Sequence, residues 1–342
     1  MMVVRPLKKD DWQALRELAR QTGTGFTSLQ DDDDQVTARF EAAIEAFAKS
    51  VAKEMANYLF VMEDTDSGEV VGICGIEAAV GLSEPWYNFR VGTLVHASRD
   101  LSIYNQISTL TNSNDHTGHS EVCTLFLRPD YRRDRNGHLL SKSRFLFMAE
   151  FPHMFHENVI AEMRGYSDEN GVSPFWEGLG RHFFSIDFAE ADMQSAKSKS
   201  FIAELMPKHT IYANLLPPAA QDAISQTHKN TVPARKLLEA EGFRYTGYID
   251  IFDGGPLLES RVQDIRAVRD SRYAKAIVGE LEKEGPMYLV GSTSFDNYRC
   301  CMTPIELEGA NVARIPPAVA DALQVSEGDT LRIVPLFPVP QY

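Results

Sequence analysis

Residues 121–147, EVCTLFLRPDYRRDRNGHLLSKSRFLF, carry the pattern that decides the fold. Residues 123–127 are apolar and favour a strand, which Pro129 ends. A basic turn follows at residues 132–137, and the chain then continues with helical periodicity. The apolar residues of this helix fall on one face, where they can pack on a sheet while the first turn stays open: Leu139, Leu140, Leu146 and Phe147. We therefore predict a strand, a cationic turn and a helix in succession.

The first turn of this helix has the chemistry of an anion site. Unpaired backbone amides at a helix N-terminus attract phosphate, and the neighbouring arginines add positive charge. A strand, basic turn and helix also occur in many α/β proteins in which the arginines are simply solvated. Both interpretations remain open from these residues alone.

The turn resembles the acyl-CoA loop of the GNAT N-acyltransferases, whose pattern is Arg or Gln, two residues, Gly, one residue, then Gly or Ala. Arg132 and Gly137 match the ends of that pattern, and Arg135 stands where the pattern has Gly. The backbone there is expected to depend on whether Arg135 can adopt a positive φ. The resemblance implies that acyl-CoA is bound by the strand and the turn, at Leu127, Arg132, Arg133, Asn136 and Gly137.

Composition narrows the class of protein. The chain has 342 residues, 44% hydrophobic and 24% charged, enough for a sizeable core and two domains. Its formal charge of −14 argues against nucleic acid or an anionic membrane as a partner. The four cysteines show no metal-binding or disulfide spacing, so a reducing cytoplasm is expected. No signal peptide and no apolar run of membrane-spanning length are found.

The predicted elements follow GNAT order. A first strand at residues 3–5 is followed by a helix carrying Trp12, and the acidic run at residues 31–34 is expected to cap a second helix. That run is a poor metal site, because consecutive exposed carboxylates rarely converge. Strands at 58–63 and 69–76 form a hairpin, and residues 80–120 are long enough to wall a substrate pocket.

The whole chain is predicted to be an α/β protein, with a GNAT-like, elaborated, mixed twisted sheet flanked by helices. We expect residues 1–256 to form the acyltransferase domain. Residues 257–342 are expected to form an accessory domain, with a charged helix at 260–283 followed by a small β-rich unit.

Six separated segments resemble bacterial arginine N-succinyltransferase. They are VGTLVHAS at 91–98, SNDHTG at 113–118, GHLLSKSRF at 137–145, AEMRG at 161–165, FIAELMPKH at 201–209 and YIDIFDGGP at 248–256. The resemblance implies transfer of the succinyl group of succinyl-CoA to the α-amino group of L-arginine, giving N2-succinylarginine and CoA in the first step of arginine catabolism. Succinyl-CoA would be a co-substrate, with no permanently bound cofactor and no metal. Some members form paired subunits and accept ornithine, so a homo-oligomer or a pairing with a related subunit is expected.

The resemblance also assigns a catalytic residue. The family's proton donor is a histidine in a Gln-x-His segment shortly before Pro-Ala-Arg, and His228 occupies that place. Histidine titrates in the range that proton transfer at neutral pH needs. Without the resemblance, a surface histidine would be the ordinary interpretation. Leu125 matches the family's succinyl-CoA contact and would act through its backbone, as an added strand would.

Five polar residues near the turn are predicted to bind the substrate: Asp115, His116, Glu121, Glu162 and Arg164. They could hold a guanidinium, the substrate carboxylate or the succinyl carboxylate. About half of such strand-flanking groups are expected to be structural instead. Two other functions stay open: a GNAT-type acyltransferase acting on ornithine or another small amine, and a noncatalytic sensor of acyl-CoA or amino acids.

Overall fold

The computed structural model describes residues 1–22, 26–195, 200–283 and 285–338. Its strands are β1 (Met2–Pro6), β2 (Asn57–Asp64), β3 (Glu69–Glu77), β4 (Asn88–Ser98), β5 (Ile103–Ser113), β6 (Ser120–Leu127), β7 (Asn158–Glu162), β8 (Ile211–Tyr212), β9 (Arg244–Asp250), β10 (Pro256–Arg261), β11 (Arg272–Val278), β12 (Met287–Ser292), β13 (Cys300–Pro304), β14 (Glu306–Leu307), β15 (Val312–Ile315) and β16 (Thr330–Pro335).

The α-helices are α1 (Trp12–Thr22), α2 (Asp33–Phe47), α3 (Asn136–Glu150), α4 (Arg181–Phe184), α5 (Phe188–Ser195), α6 (Ser200–Leu205), α7 (Pro218–Ala223), α8 (Val232–Ala240), α9 (Arg266–Arg269) and α10 (Pro317–Leu323). A π-helical turn at Trp176–Gly180 precedes α4. None of the described helices combines the length and the apolarity needed to cross a lipid bilayer.

The strands form one mixed sheet, and its centre is split. The order through the described strands is β14-β15-β11-β16-β12-β13-β1-β2-β3-β6-β7-β10-β9-β4-β5-β8. β6 and β7 are parallel but pair only at Ser120 with Val159 and at Glu121 with Ile160. Beyond Glu121 the two strands diverge, so the remainder of β6 presents an edge inside the sheet.

The helix α3 covers one face of the sheet and is buried along most of its length. Its core, which includes Phe145, Leu146 and Phe147, also contains Leu289 and Leu336 from the far end of the chain. Because apolar burial stabilises a protein by about 25 cal/mol per Å², this shared core holds α3 to both ends of the chain.

The predicted α/β fold, with helices flanking a mixed sheet and a β-rich C-terminal region, is confirmed. The hairpin is β2–β3, and the predicted loop strand lies within β6. Asp32 caps α2, accepting hydrogen bonds from the backbone N–H groups of Asp34 and Gln35, so the acidic run does begin a helix. The region predicted to wall a pocket contains the long hairpin β4–β5.

The prediction of a charged helix at 260–283 is wrong. Only the single turn α9 is α-helical there, and β11 occupies Arg272–Val278. In β11 the buried Ala274 and Ala276 flank the exposed Lys275, which is the alternation of a strand. The expected domain boundary at 256/257 falls at the start of β10, which pairs with β7 and β9, and the boundary itself stays a prediction.

Candidate active site

A β-bulge interrupts β6 at the split in the sheet. Ile73 pairs with Phe126 and Gly75 with Cys123, so β6 has one more residue than β3 in this interval. Thr124 takes up the extra length with a φ of 51°. A bulge leaves a residue without a strand partner and turns its backbone away from the ladder. Leu125, predicted to contact succinyl-CoA through its backbone, therefore lies beside the bulge.

The buried Arg144 of α3 holds the bulge in place. Its guanidinium donates to the carbonyl oxygen of Cys123 at 3.2 Å and to that of Gly75 at 3.5 Å. It also bonds to Ser141, one turn earlier in α3. These bonds supply donors for carbonyl groups at the point where the ladder between β3 and β6 is broken. Burial lowers the pKa of Arg144 below the usual arginine value.

The cationic turn between β6 and α3 is exposed. Arg132 and Arg133 both lie at the surface, and the Nε of Arg132 donates to the carbonyl oxygen of Leu127 at 2.9 Å. Arg135 is left-handed, with φ 63° and ψ 18°, as a Gly at this place would be. It is preceded by Asp134, whose φ is 50°. These two left-handed residues turn the chain into α3, and the backbone N–H groups of Asn136 and His138 donate to the carbonyl oxygens of Arg133 and Arg135.

The first turn of α3 is open to solvent at Gly137. A Cβ added to Gly137 would meet no atom within 4 Å. Asn136 is buried instead, and its side-chain amide donates to the carbonyl oxygen of Tyr131 at 3.1 Å. Asn136 thus braces the turn from within, while Gly137 leaves the helix N-terminus open.

His228 lies at the far side of the split, next to the end of β7. Its backbone N–H donates to the carbonyl oxygen of Arg164 at 2.8 Å, and Thr227 forms an antiparallel bridge with Gly165. The ring is buried, and its Nδ1 accepts the backbone N–H of Asn230 at 3.2 Å. A nitrogen that accepts carries no proton, so the neutral ring carries its hydrogen on Nε2. Burial first, then Arg164 and Lys229, lower the pKa of His228.

Two of the family-like segments form the support for His228. Asp253 accepts the backbone N–H groups of Gly165 at 2.6 Å and of Gly255 at 2.8 Å. A Cβ on Gly165 would lie 2.4 Å from the carbonyl oxygen of Asp253, so the segments at 163–165 and 253–255 are in closest contact. The carbonyl oxygen of Gly254 in turn accepts the N–H of Ser225 in the loop that precedes His228. Burial and the nearby Asp250 raise the pKa of Asp253 well above its usual range.

Carboxylates gather on the sheet face opposite α3. Glu77 and Glu121 are directly opposite each other in β3 and β6, and Glu121 is level with Ile160 of β7. Since side chains two residues apart share a face, Glu162 points to the same side. Arg39 of α2 approaches Glu77, with a distance of 3.6 Å between Nη2 and Oε1.

The remaining predicted substrate residues are partly joined to this group. Asn88 bridges two of them, donating from Nδ2 to Glu162 Oε1 at 2.9 Å while its Oδ1 lies 3.1 Å from His116 Nδ1. Asp115 accepts the hydroxyl of Tyr248 at 2.7 Å, which lowers the pKa of the carboxyl group. Asp115 is thus tied to the sheet, whereas His116 and Glu162 lie in one network.

Sequence reasoning missed Arg144, Asp253 and Asn88. The available signal for Arg144 was a basic residue directly before the apolar run at 145–149, since a buried arginine needs several acceptors. Asp253 stands before two glycines, which often marks a turn that binds its own backbone. Asn88 has no local signal.

The split sheet above an exposed, cationic helix N-terminus places the chain among GNAT-like acyltransferase folds. Residues 2–267 match the family model described as arginine N-succinyltransferase beta subunit, and residues 272–335 match the model of that subunit's C-terminal domain. The chain belongs to the arginine N-succinyltransferase family.

Individual relatives agree over the full length. The arginine N-succinyltransferase of Yersinia pseudotuberculosis serotype O:3 is 50% identical over 345 residues, covering 98% of each chain. That of Enterobacter sp. strain 638 is also 50% identical, covering 99% of this chain and 98% of the relative. The structure of arginine/ornithine succinyltransferase subunit AI from Pseudomonas aeruginosa superposes with a TM-score of 0.90 at 38% identity, covering 99% of both chains.

Proposed function

We propose that this protein transfers the succinyl group of succinyl-CoA to the α-amino group of L-arginine, forming N2-succinylarginine and CoA. The observation that supports the proposal is the split between β6 and β7, with the exposed cationic turn after one strand and His228 beside the end of the other. The full-length similarity to arginine N-succinyltransferases supports the choice of both substrates.

The turn and the edge of β6 bind the donor. The pyrophosphate lies on the N-terminus of α3 near Gly137, with Arg132 and Arg133 pairing with its charge. The pantetheine extends along the open edge of β6 and pairs with backbone groups near Leu125 and Leu127, as an added strand does. This arrangement delivers the thioester to the bulge.

The carboxylates on the opposite face receive the arginine. A guanidinium has five N–H donors in a fixed fork that suits carboxylate oxygens, and Glu121 and Glu162 lie on either side of the split. The shorter ornithine ammonium would match the same carboxylates as a point charge. We infer a preference for arginine, which a comparison of kcat/KM for the two amino acids tests.

His228 acts on the leaving group. The neutral α-amine attacks the thioester carbonyl, an amide C–N bond forms and the C–S bond breaks. The Nε2–H of His228 donates a hydrogen bond to the sulfur as negative charge develops there. The proton that the attacking nitrogen loses ends on the sulfur, so the products are the amide and the CoA thiol. Its buried, neutral ring makes this hydrogen bond without adding a full charge to the site.

Release of CoA thiol provides the test. Purified protein with succinyl-CoA should release thiol when L-arginine is added, and mass spectrometry should identify N2-succinylarginine. His228→Ala should lower kcat by about 10²–10³-fold, the loss typical of one such donor, with little change in the Kd of CoA. His153→Ala, at an exposed histidine, serves as the control. Thiol release that ignores arginine, or a fully active His228→Ala, would rule the proposal out.

We infer that the chain works in the cytoplasm as part of an oligomer. Its four cysteines are free, and Cys74, Cys300 and Cys301 are buried, which suits a reducing compartment. The hairpin β4–β5 carries exposed apolar side chains, among them Leu94 and Tyr104, which contact with a second copy of the chain would cover. Light scattering of the purified protein tests this, and a monomer at all concentrations would exclude self-assembly.

A further inference from the structure

Three potential metal ligands converge behind the predicted substrate carboxylates. His116 and His119 lie on the segment between β5 and β6, and Glu259 lies on β10. One ligand atom from each falls within 4.8 Å of the other two. His116 is 2% exposed. His119 and Glu259 are half-buried, and the group is built by parts of the chain that are about 140 residues apart in sequence.

Hydrogen bonding fixes the tautomer of His116. Because Asn88 donates from Nδ2 to Glu162, its Oδ1 faces His116 and can only accept. The proton of the neutral ring is therefore on Nδ1, and Nε2 presents a lone pair. The Nε2 atom lies 4.0 Å from Oε2 of Glu259, which is beyond hydrogen-bond distance.

His119 presents a second nitrogen to the same carboxylate. Its Nδ1 is buried and has no hydrogen-bond partner among the described residues. This atom lies 3.9 Å from Oε1 of Glu259. Two nitrogen atoms and a carboxylate that face one another at this spacing leave room for a cation between them.

We propose that His116, His119 and Glu259 bind a divalent transition-metal ion of the Zn²⁺ class. Two imidazoles and one carboxylate are ligands that Zn²⁺ accepts, at about 2.0–2.2 Å, with water in the fourth position. Small movements of the three side chains close the observed separations to this geometry. Asn88 is the outer partner that orients the imidazole, as such ligands usually require.

The ion would position a substrate group. By fixing His116 it fixes Asn88, and through Asn88 the carboxylate of Glu162. This consequence rests on the proposed function, whereas binding of the metal does not. The sequence analysis predicted no metal, because a His-x-x-His pair is a weak signal by itself and Glu259 is distant from it in the chain.

Cobalt titration tests the site directly. Untagged protein, stripped with a chelator, is titrated with Co²⁺ while the visible absorption of four-coordinate Co²⁺ is recorded. We expect one ion per chain. His119→Ala and Glu259→Gln should each weaken binding by more than about 100-fold, since loss of an outer partner alone costs 10–100-fold. His182→Ala, at an exposed histidine away from the group, should bind as the parent does.

A second measurement covers variants that fold poorly. Zn²⁺ should raise the Tm of the stripped parent protein, because a ligand that binds only the folded state stabilises it. Asn88→Ala should keep the absorption band but bind about 10–100-fold more weakly. Absence of binding by the parent, or equal binding by the parent and both ligand variants, would overturn the proposal. A parent protein that binds Co²⁺ but shows no arginine-dependent release of thiol would count against the proposed function alone.

Discussion

Gly165 is the position where one added methyl group should separate folding from catalysis. A Cβ at Gly165 would lie 2.4 Å from the carbonyl oxygen of Asp253 and 2.6 Å from its Cγ. Ordinary carbon contacts are about 3.5–4.0 Å, so Gly165→Ala requires a shift of roughly 1 Å between the two segments. Because His228 bonds to the carbonyl oxygen of Arg164, the imidazole moves with them.

The size of the effect follows from that displacement. A misplacement of about 1 Å can cost a catalytic group 10²-fold, and tenfold in rate is about 1.4 kcal/mol. We therefore expect kcat of Gly165→Ala to fall by about 10²-fold, with the free energy of unfolding lowered by about 1–3 kcal/mol, as for other overpacked sites. The Kd of CoA should hold, because the cationic turn lies on the other side of the split.

A matched clash elsewhere controls for overpacking. A Cβ on Gly285 would lie 2.2 Å from the carbonyl oxygen of Ile305, in the C-terminal region. Gly285→Ala should lose comparable stability and keep kcat. Steady-state thiol release at saturating substrates, together with urea unfolding, measures both quantities. The reasoning is refuted if Gly165→Ala folds and retains its kcat, or if Gly285→Ala loses as much kcat as Gly165→Ala does. Either result would mean that the contacts of Gly165 do not hold His228 in position.

Three further outcomes are expected. Arg132→Ala should raise KM for succinyl-CoA roughly tenfold or more, because it removes a charge-assisted hydrogen bond that contributes about 1.5–3 kcal/mol. Initial-rate kinetics measures the change in KM. Arg144→Met should lower the free energy of unfolding by about 2–5 kcal/mol, since the carbonyl groups of Gly75 and Cys123 lose their donor; an unchanged urea midpoint would refute this. Because burial lowers the pKa of His228, its ring loses its proton at a lower pH than an ordinary imidazole does. Between about pH 7 and 8, log kcat/KM should therefore rise with a slope of one as the substrate amine loses its proton; a slope of two would mean that His228 also titrates there.

Local pattern was enough to predict the elements that build the proposed donor site. The apolar run in β6, Pro129 and the periodic face of α3 each have a direct sequence signature. The bulge does not, because Thr124 at a φ of 51° looks like any strand residue. Its support by Arg144 depends on contacts between distant segments, which spacing cannot reveal.

The misassigned helix at 260–283 shows the converse. Charged residues there are dense enough to suggest a solvated helix, but Ala274 and Ala276 alternate with exposed neighbours and pair in a sheet. Pairing of β11 with β15 and β16 outweighed the weak helical preference of these residues. The family resemblance singled out His228 as the proposed catalytic residue, whereas the tautomer of its ring follows from the hydrogen bond with Asn230, two residues further along the chain.

The burial of α3 has a consequence for synthesis on the ribosome. Lys142 donates to the carbonyl oxygen of Leu336 at 2.9 Å and pairs with Glu241, which also holds Arg266. After Lys142 has been synthesised, about 190 more residues must follow before its partner Leu336 exists. At typical elongation rates this takes on the order of 10–40 s. During that interval its apolar flank is open to chaperones, and a nascent chain that stops near residue 270 should remain bound to them.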